Sequence, residues 1–350
     1  MDGRIVSPTA SGDEEERLQT SLRPRALDEF IGQDLQRRRL SIALQAARQR
    51  REPLDHLLLS GPPGLGKTTL AHIVANEMHG KLITTSGPAL ERAYDLMGML
   101  TRLDQGDVFF IDEIHRLPRV VEEYLYPAME DFKVDFVIDK GPYAQAVPLP
   151  VQPFTLVGAT TRKGLLSSPL RERFGLNFEL DFYGVADLTL IVRRSAGLLA
   201  VKLDEPAATE IARRSRGTPR IANRLLRRVR DYAQVHGQTH VEPALVSEAL
   251  ELEGVDTVGL DDLDRRYLRT LINQERATGV ATLAAAMQQE ADTLEDVVEP
   301  YLLYEGFIVR TSGGRLPTPK GYAHLGLRPP GRSSAQQPLP LEDDEEDSED

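Results

Sequence analysis

The chain has 350 residues, 41% hydrophobic and 27% charged, with a formal net charge of −12 and no cysteine. A length well above the roughly 100–200 residues of one domain predicts two or three domains, and no apolar run in the sequence approaches the ~20 residues of a membrane-spanning helix. The lack of cysteine excludes disulfides, a thiol nucleophile and any cysteine-based zinc module.

Residues 1–20 are acidic around Asp13, Glu14, Glu15 and Glu16 and lack the basic-then-apolar pattern of a secretory signal. They read as a disordered tail on a cytoplasmic protein. A helical stretch at 35–50 leads to the apolar strand His56-Leu-Leu-Leu-Ser60, the loop Gly61-Pro-Pro-Gly-Leu-Gly-Lys-Thr68 and a helix-like run at 69–78. Strand, glycine-rich loop and helix in that order make a phosphate-binding loop. Gly61, Gly64 and Gly66 let backbone N–H groups approach phosphate oxygens, and the helix N-terminus adds favourable partial charge. Lys67 is the expected cation at the β- and γ-phosphates, and Thr68 offers the hydroxyl that holds Mg2+ in such sites.

A strand at 82–86 precedes Asp107-Val-Phe-Phe-Ile-Asp-Glu113, an apolar strand ending in two carboxylates, which is the form of a Walker B motif. Asp112 is expected to orient Mg2+, and Glu113 to position or polarise the attacking water. After a helix at 121–130, two apolar arms at 134–138 and 146–149 flank Asp139-Lys-Gly-Pro142. This predicts a hairpin, either part of a core or an exposed docking element. The strand Phe154-Thr-Leu-Val-Gly-Ala-Thr-Thr161 ends in hydroxyls, with Thr161 as a candidate γ-phosphate sensor, and a strand at 177–182 completes five parallel strands. The fold class is α/β, doubly wound.

Arg173 stands between the last two strands, either as an arginine finger reaching a neighbouring subunit's site or as a surface partner of Glu172. Arg220 lies in the first turn of a helix that Thr218 is expected to N-cap, with Pro219 at its first position, so a helical domain can present it to the γ-phosphate. Residues 213–230 hold eight arginines. The amphipathic pattern around Leu225 and Val229 reads most of them as a solvated basic face or a subunit contact rather than a DNA site.

Three helical stretches at 261–275, 281–290 and 293–305, then a hairpin at 307–316, suggest a winged helix. Its third helix carries Glu295, Asp296, Glu299 and Glu305, which argues against insertion into a DNA groove. Arg310 and Arg315 flank a glycine tip with no acid nearby, and phosphate contacts from them give affinity without sequence information. The polar tail from 329 onward reads as disordered; its last nine residues, 342–350, carry eight acids, without which the net charge is −4.

Taken together these pieces resemble the AAA+ class and, more closely, the bacterial RuvB-type Holliday junction branch-migration ATPase. The matching stretches are 22–24 with 27–33, 61–72, 85–88, 110–117, 125–132, 158–162 and 213–226, and the resemblance covers about 21–326. It implies an α/β AAA+ P-loop domain with a parallel sheet (21–183), a small helical lid domain (184–255) and a C-terminal winged-helix domain (256–328) between two disordered tails (1–20 and 329–350). The implied activity is ATP-driven branch migration in recombination and DNA repair, with ATP and Mg2+ as cofactors. The implied assembly is a homohexameric ring on duplex DNA, not sequence-specific, working with a RuvA-type junction-binding protein that grips the hairpin at 134–150. A RuvC-type resolvase joins a larger complex.

In the implied site, Leu22, Arg23 and the region near Ile31 border the adenine, and Tyr183 approaches it from the other side. Gly64, Gly66, Lys67, Thr68, Thr69 and Arg220 contact phosphates or metal. Glu130, Asp131 and Phe132 belong to the nucleotide-binding set, and Arg173 acts in trans. The sequence departs from the family at the wing tip, where Ser312-Gly-Gly314 replaces Pro-Arg-Gly, at 273–280, which lacks a glycine-rich, proline-containing turn, and at Ala291, where relatives often have a basic residue. A clamp-loader-like subunit is the nearest alternative, but its zinc-binding cysteine cluster and Ser-Arg-Cys finger motif are missing. Asp112-Glu-Ile-His115 mimics the DExH box of strand-separating helicases without the further motifs of that class, which leaves His115 a structural or relay residue. A DNA-binding regulator with a degenerate ATPase is disfavoured because Lys67, Thr68, Asp112, Glu113, Arg173 and Arg220 are all present.

Overall fold

The computed structural model describes residues 21–138 and 145–329. The expectations for 1–20, for 330–350 and for the turn at 139–142 lie outside the described residues. Helix α1 (Asp34–Arg50) precedes strand β1 (Leu57–Ser60), helix α2 (Lys67–Glu77), β2 (Leu82–Ser86), α3 (Ala93–Leu100), β3 (Val108–Asp112) and α4 (Arg119–Glu130). A hairpin of β4 (Lys133–Ile138) and β5 (Gln145–Pro150) follows, then β6 (Thr155–Thr160), the short α5 (Ser168–Glu172) and β7 (Leu176–Glu179).

The main sheet is parallel, in the order β2-β3-β6-β1-β7. Its central strands are buried along their whole length apart from the end of β3, as expected of a sheet covered on both faces. The two-residue period decides which layer each side chain joins. Leu57, Leu59, Val108 and Phe110 pack with Leu40, Leu44, Leu70 and Ile73 of α1 and α2, whereas Leu58, Phe109 and Ile111 pack with Leu96, Leu100, Val121 and Leu125 of α3 and α4. The register pairs Ser60 with Thr160 and Glu179, and Ser86 with Asp112. The carboxyl ends of the strands thus line one edge, where ligands of such sheets bind.

Four helices form the lid: α6 (Val185–Leu198), α7 (Glu205–Arg213), α8 (Pro219–Val235) and α9 (Pro243–Leu252). Their apolar stripes, such as Leu188 and Val192 against Ile211, Leu225 and Val229, join the same core as α1 and α2. Helix α8 starts at Pro219 as expected, but Thr218 does not cap it: the hydroxyl donates to Ser215 O at 3.4 Å.

The basic stretch at 213–230 departs further from expectation. Arg214, Arg216, Arg224 and Arg227 are buried rather than solvated. Arg214 Nε donates to Glu210 Oε1 at 2.7 Å, and Arg216 Nη1 to Asp264 Oδ2 at 2.9 Å. Arg214 is matched by an acid one helical turn before it, and Arg216 by an acid 48 residues further along the chain.

The C-terminal unit contains α10 (Asp262–Asn273), α11 (Val280–Met287), a single turn at Ala291–Thr293, a π-turn at Leu294–Val298, α12 (Glu299–Tyr304), the hairpin of β8 (Ile308–Thr311) and β9 (Gly314–Pro317), and α13 (Pro319–His324). It is a winged helix, with Tyr267, Leu271, Leu283, Leu294, Leu302 and Phe307 in its core. The helix expected at 293–305 is not regular. Pro300 has no N–H to give Asp296 O and its ring collides with that carbonyl in an α-helix, so the widened turn sits just before it. In the unusual 273–280 stretch, Thr278 pairs with Arg315 through both backbone bonds, 3.0 and 2.8 Å. Gly314 (φ 130°) is required there, because a Cβ would stand 2.5 Å from the Thr278 carbonyl carbon.

Candidate active site

The phosphate loop leaves β1 at Gly61, whose φ of 138° and 2.4 Å distance from an added Cβ to Leu180 O exclude any side chain. Helix α2 begins directly at Lys67, with Gly66 (φ 104°) as the preceding residue and no side-chain cap, so the N–H groups of its first turn open onto the loop. A cavity of about 250 Å³ opens over this turn. Of the residues expected at the nucleotide, it gathers Leu22, Arg23, Ile31, Gly64, Gly66, Lys67, Thr68, Thr69, Asp112, Glu113, Thr161, Tyr183 and Arg220. They come from the N-terminal segment, the loop, two strand ends and the lid, which places the cavity between the sheet edge and the lid.

Lys67 Nζ donates to Gly61 O at 2.7 Å and to Pro62 O at 2.8 Å. Burial pulls its pKa down to about 8, with Asp112 opposing and Arg220 reinforcing the shift. Asp112 ends β3, and Glu113 next to it adopts left-handed φ 48°, ψ 42°. A non-glycine residue there costs of order 1–3 kcal/mol, and such strain clusters at functional sites. Glu113 N donates to Asp112 Oδ1 at 2.9 Å, and Arg116 Nη1 lies 3.0 Å from Glu113 Oε2.

At the end of β6, Thr160 Oγ1 meets His115 Nδ1 at 3.0 Å and accepts the Arg162 N–H at 3.0 Å, which pins the backbone on both sides of Thr161. Burial lowers the His115 pKa, with the Glu113 charge opposing it. His115 therefore bridges two strand ends. Tyr183 is buried, donates its hydroxyl to Leu65 O at 3.2 Å, and has its pKa raised by burial.

Among the lining residues that the sequence did not single out as site residues are Phe30, Ile191, Arg194 and Asn223. Asn223 had a signal, since it stands three residues after Arg220 on the same helical face. Arg194 had none. It reaches back from α6 to Leu22 O (2.9 Å) and Glu29 Oε2 (2.8 Å), tying the lid to the N-terminal segment.

Arg173, Glu130, Asp131 and Phe132 are not among the residues lining the cavity. Arg173 Nε is 3.0 Å from Glu130 Oε1, an ion pair by distance without hydrogen-bond alignment. Arg173 Nη1 donates to Pro169 O at 2.7 Å, and its guanidinium lies 4.3 Å over the Tyr126 ring. Asp131 pairs with Lys133 at 2.8 Å, and Phe132 packs edge-on against Phe154.

The wing arginines are not in the acid-free setting that the sequence suggested. Arg315 Nε donates to Glu299 Oε1 at 2.9 Å and Nη2 to Glu295 Oε1 at 2.7 Å, while Arg310 Nε donates to Glu299 Oε2 at 3.0 Å. Glu299 is fully buried. The acids come from the preceding helix, folded against the wing, so chain neighbours gave no warning. The Arg315 side chain is 12% exposed and that of Arg310 50%.

Among the described residues no group of three or more His, Cys, Asp or Glu is arranged to hold a metal ion, and no helix is long and apolar enough to cross a membrane. Three family descriptions match in succession: the Holliday junction DNA helicase RuvB P-loop domain over 22–180, the RuvB AAA lid domain over 183–256 and the RuvB C-terminal winged helix domain over 257–326. The chain is 55% identical over 329 residues to the Holliday junction branch migration complex subunit RuvB of Kosmotoga olearia, covering 93% of this chain and 96% of that one. It is similar to the structure of the Thermotoga maritima RuvB Holliday junction branch migration motor, with a TM-score of 0.82, 52% identity, and 89% of this chain and all of that one covered. A single-residue variant of the Thermotoga maritima protein matches with a TM-score of 0.83 and 51% identity over 88% of this chain and all of that one.

Proposed function

This chain belongs to the RuvB family, whose members are Holliday junction branch-migration ATPases, and on that premise we propose how its residues turn ATP hydrolysis into movement of DNA. The observation that carries the reading is the single cavity in which the phosphate loop, the carboxylate-bearing end of β3, Thr161 and the lid's Arg220 converge. Leu22, Arg23 and Ile31 border the adenine, opposite Tyr183. The Lys67 ammonium leaves the loop carbonyls to neutralise phosphate oxygens, Glu113 orients and polarises the attacking water, and Thr161 and Arg220 read the γ-phosphate. Thr68 and Asp112 are hard oxygen donors in one cavity, a set that suits Mg2+. The ion, when bound, neutralises charge on the phosphoryl oxygens.

Arg173 acts on a neighbouring subunit's nucleotide. Its place outside its own cavity, beside Glu130, supports this, and Glu130, Asp131 and Phe132 face the same neighbour. The assembly is a homohexamer on duplex DNA, with domain boundaries near 183 and 255. The β4–β5 hairpin is separate from the main sheet, rooted by buried Val134 and carrying exposed Val147, and this supports it as the docking element for a RuvA-type partner. A RuvC-type resolvase belongs to the larger complex under the same reading.

The test is ATP-dependent dissociation of a synthetic four-way junction by the purified protein, with and without a RuvA-type protein, using Lys67→Ala as control. Dissociation that needs ATP, Lys67 and the partner is the expected result. Hydrolysis that never moves the junction under any salt or partner condition would count against the branch-migration reading.

A further inference from the structure

The residue after Thr161 opens a continuous line of charged contacts between the ATPase domain and the wing. The Arg162 N–H is fixed to Thr160 Oγ1. Its guanidinium leaves the sheet and lands on the π-turn and the single turn before it: Nε donates to Asp296 Oδ1 at 2.7 Å, Nη2 to Asp292 Oδ1 at 3.0 Å, and Nη2 lies 3.6 Å from Glu295 Oε2. Glu295 faces two arginines at once, since its other oxygen accepts Arg315 Nη2. Arg315 continues to Glu299, which also accepts Arg310 and, at 2.9 Å, the Tyr267 hydroxyl. The Arg162–Glu295 contact is an ion pair by distance, and the links from Glu295 onward are charge-assisted hydrogen bonds, shorter and stronger than neutral ones.

A second tether reaches the same turn independently. Arg216, four residues before Arg220, donates Nη2 to Val297 O at 3.1 Å. Both γ-phosphate readers are thus connected, within one and four residues, to a five-residue π-turn, an irregularity that is rare and frequent at functional sites. Two arginines from the ATPase side hold the turn, and the turn's Glu295 holds a wing arginine. A carboxylate bound to Arg315 competes with DNA phosphate for it, so a shift of the turn changes the charge that the wing presents.

We propose that Arg162 is a positioning residue that couples nucleotide state to DNA affinity, acting through Asp292, Asp296 and Glu295 on the wing arginines. The inference rests on the readings of Thr161 as a phosphate sensor and of Arg310 and Arg315 as DNA contacts. Coupling of this kind is reciprocal and typically about 5–150-fold.

The experiment measures duplex DNA binding by the full chain, by fluorescence anisotropy over a salt series, with a non-hydrolysable ATP analogue and with ADP. The wild type should show affinities at least about 5-fold apart in the two states. In the Asp292→Asn/Asp296→Asn double variant the ratio should fall towards one while basal ATPase in the absence of DNA is unchanged. Glu295→Gln serves as a second variant, should the double one fail to fold. It should raise DNA affinity in the weaker-binding state alone. A purely structural salt bridge lowers melting temperature without moving the ratio, so a wild-type ratio retained in every variant that folds overturns the proposal, as does a wild-type ratio within twofold of one. Arg310→Ala separates the premise from the inference: if it leaves the salt dependence unchanged, the wing reading fails, and the coupling proposal falls with it.

Discussion

The nucleotide cavity and the wing both depend on arginines, lysines and carboxylates, yet they hold them in opposite ways. In the cavity, charged groups from distant parts of the chain converge on space for a ligand, and Lys67 rests on backbone carbonyls that hold it only as dipoles. In the wing, Arg310 and Arg315 are already matched by carboxylates of the same domain. One site is organised to take in charge from ATP. On the proposed reading of Arg310 and Arg315 as DNA contacts, the other exchanges internal partners for external phosphate, which makes its affinity adjustable from within.

The contrast is tested first where the expected effect is largest. Arg173→Ala should lower ATP turnover by about 10³–10⁵-fold, the range for an arginine finger, while nucleotide affinity stays near normal. Mixing these subunits with inactive Lys67→Ala subunits should restore part of the turnover, because some interfaces then combine an intact loop with an intact finger. No recovery in mixed rings removes the trans assignment. Glu113→Gln should reduce turnover by about 10²–10⁴-fold with ATP binding intact in a filter-binding assay; normal turnover would take Glu113 out of its role.

Next comes the interior. Asp264→Ala leaves the Arg216 charge buried and should destabilise the protein by about 3–5 kcal/mol in a denaturant titration. A loss below 1 kcal/mol would mean that the ion pair adds little. Smaller again is the effect of pH at Lys67, whose depressed pKa of about 8 reverses the usual lysine case. Between about pH 8 and 10.5 the unfolded chain holds this proton and the folded one does not, so the contribution of this group to stability rises with pH across that window. ATP favours the charged form. Binding at about pH 8.5 should therefore take up a proton, visible by calorimetry in two buffers of different ionisation enthalpy, and affinity should fall as pH rises; binding without uptake would show that Lys67 is already charged. The smallest effect is expected of Arg310→Ala, which should reduce the salt slope of DNA binding by about one.

The sequence made the cavity legible because each of its parts is local. The loop at 61–68 needs glycines whatever surrounds it, and an apolar strand ending in Asp112 and Glu113 carries its meaning in seven residues. The five parallel strands followed from short apolar runs, and the winged helix from the order of three helical stretches and a hairpin. What sequence did not reveal was pairing across long separations: Arg216 with Asp264, Arg315 with Glu299, Arg194 with Glu29. An arginine on a helix looks the same in one dimension whether its partner is water or an acid fifty residues away, and so most of the charges at 213–230 read as a solvated face or a subunit contact although four of these arginines are buried. The π-turn was hidden for a different reason, since Pro300 signals a disturbance without saying which way the helix yields.

That yielding has a rotational consequence. A π-turn accommodates one residue more than an α-helical turn, and one residue is about 100° around the helix axis. Before the extra residue, Asp292 looks out towards Arg162; after it, Tyr301 and Leu302 look into the core of the winged helix. An uninterrupted α-helix over 291–304 would misalign these two faces by roughly a quarter turn, so that the segment met either the ATPase domain or its own core, but not both. The single surplus residue sets the phase between them.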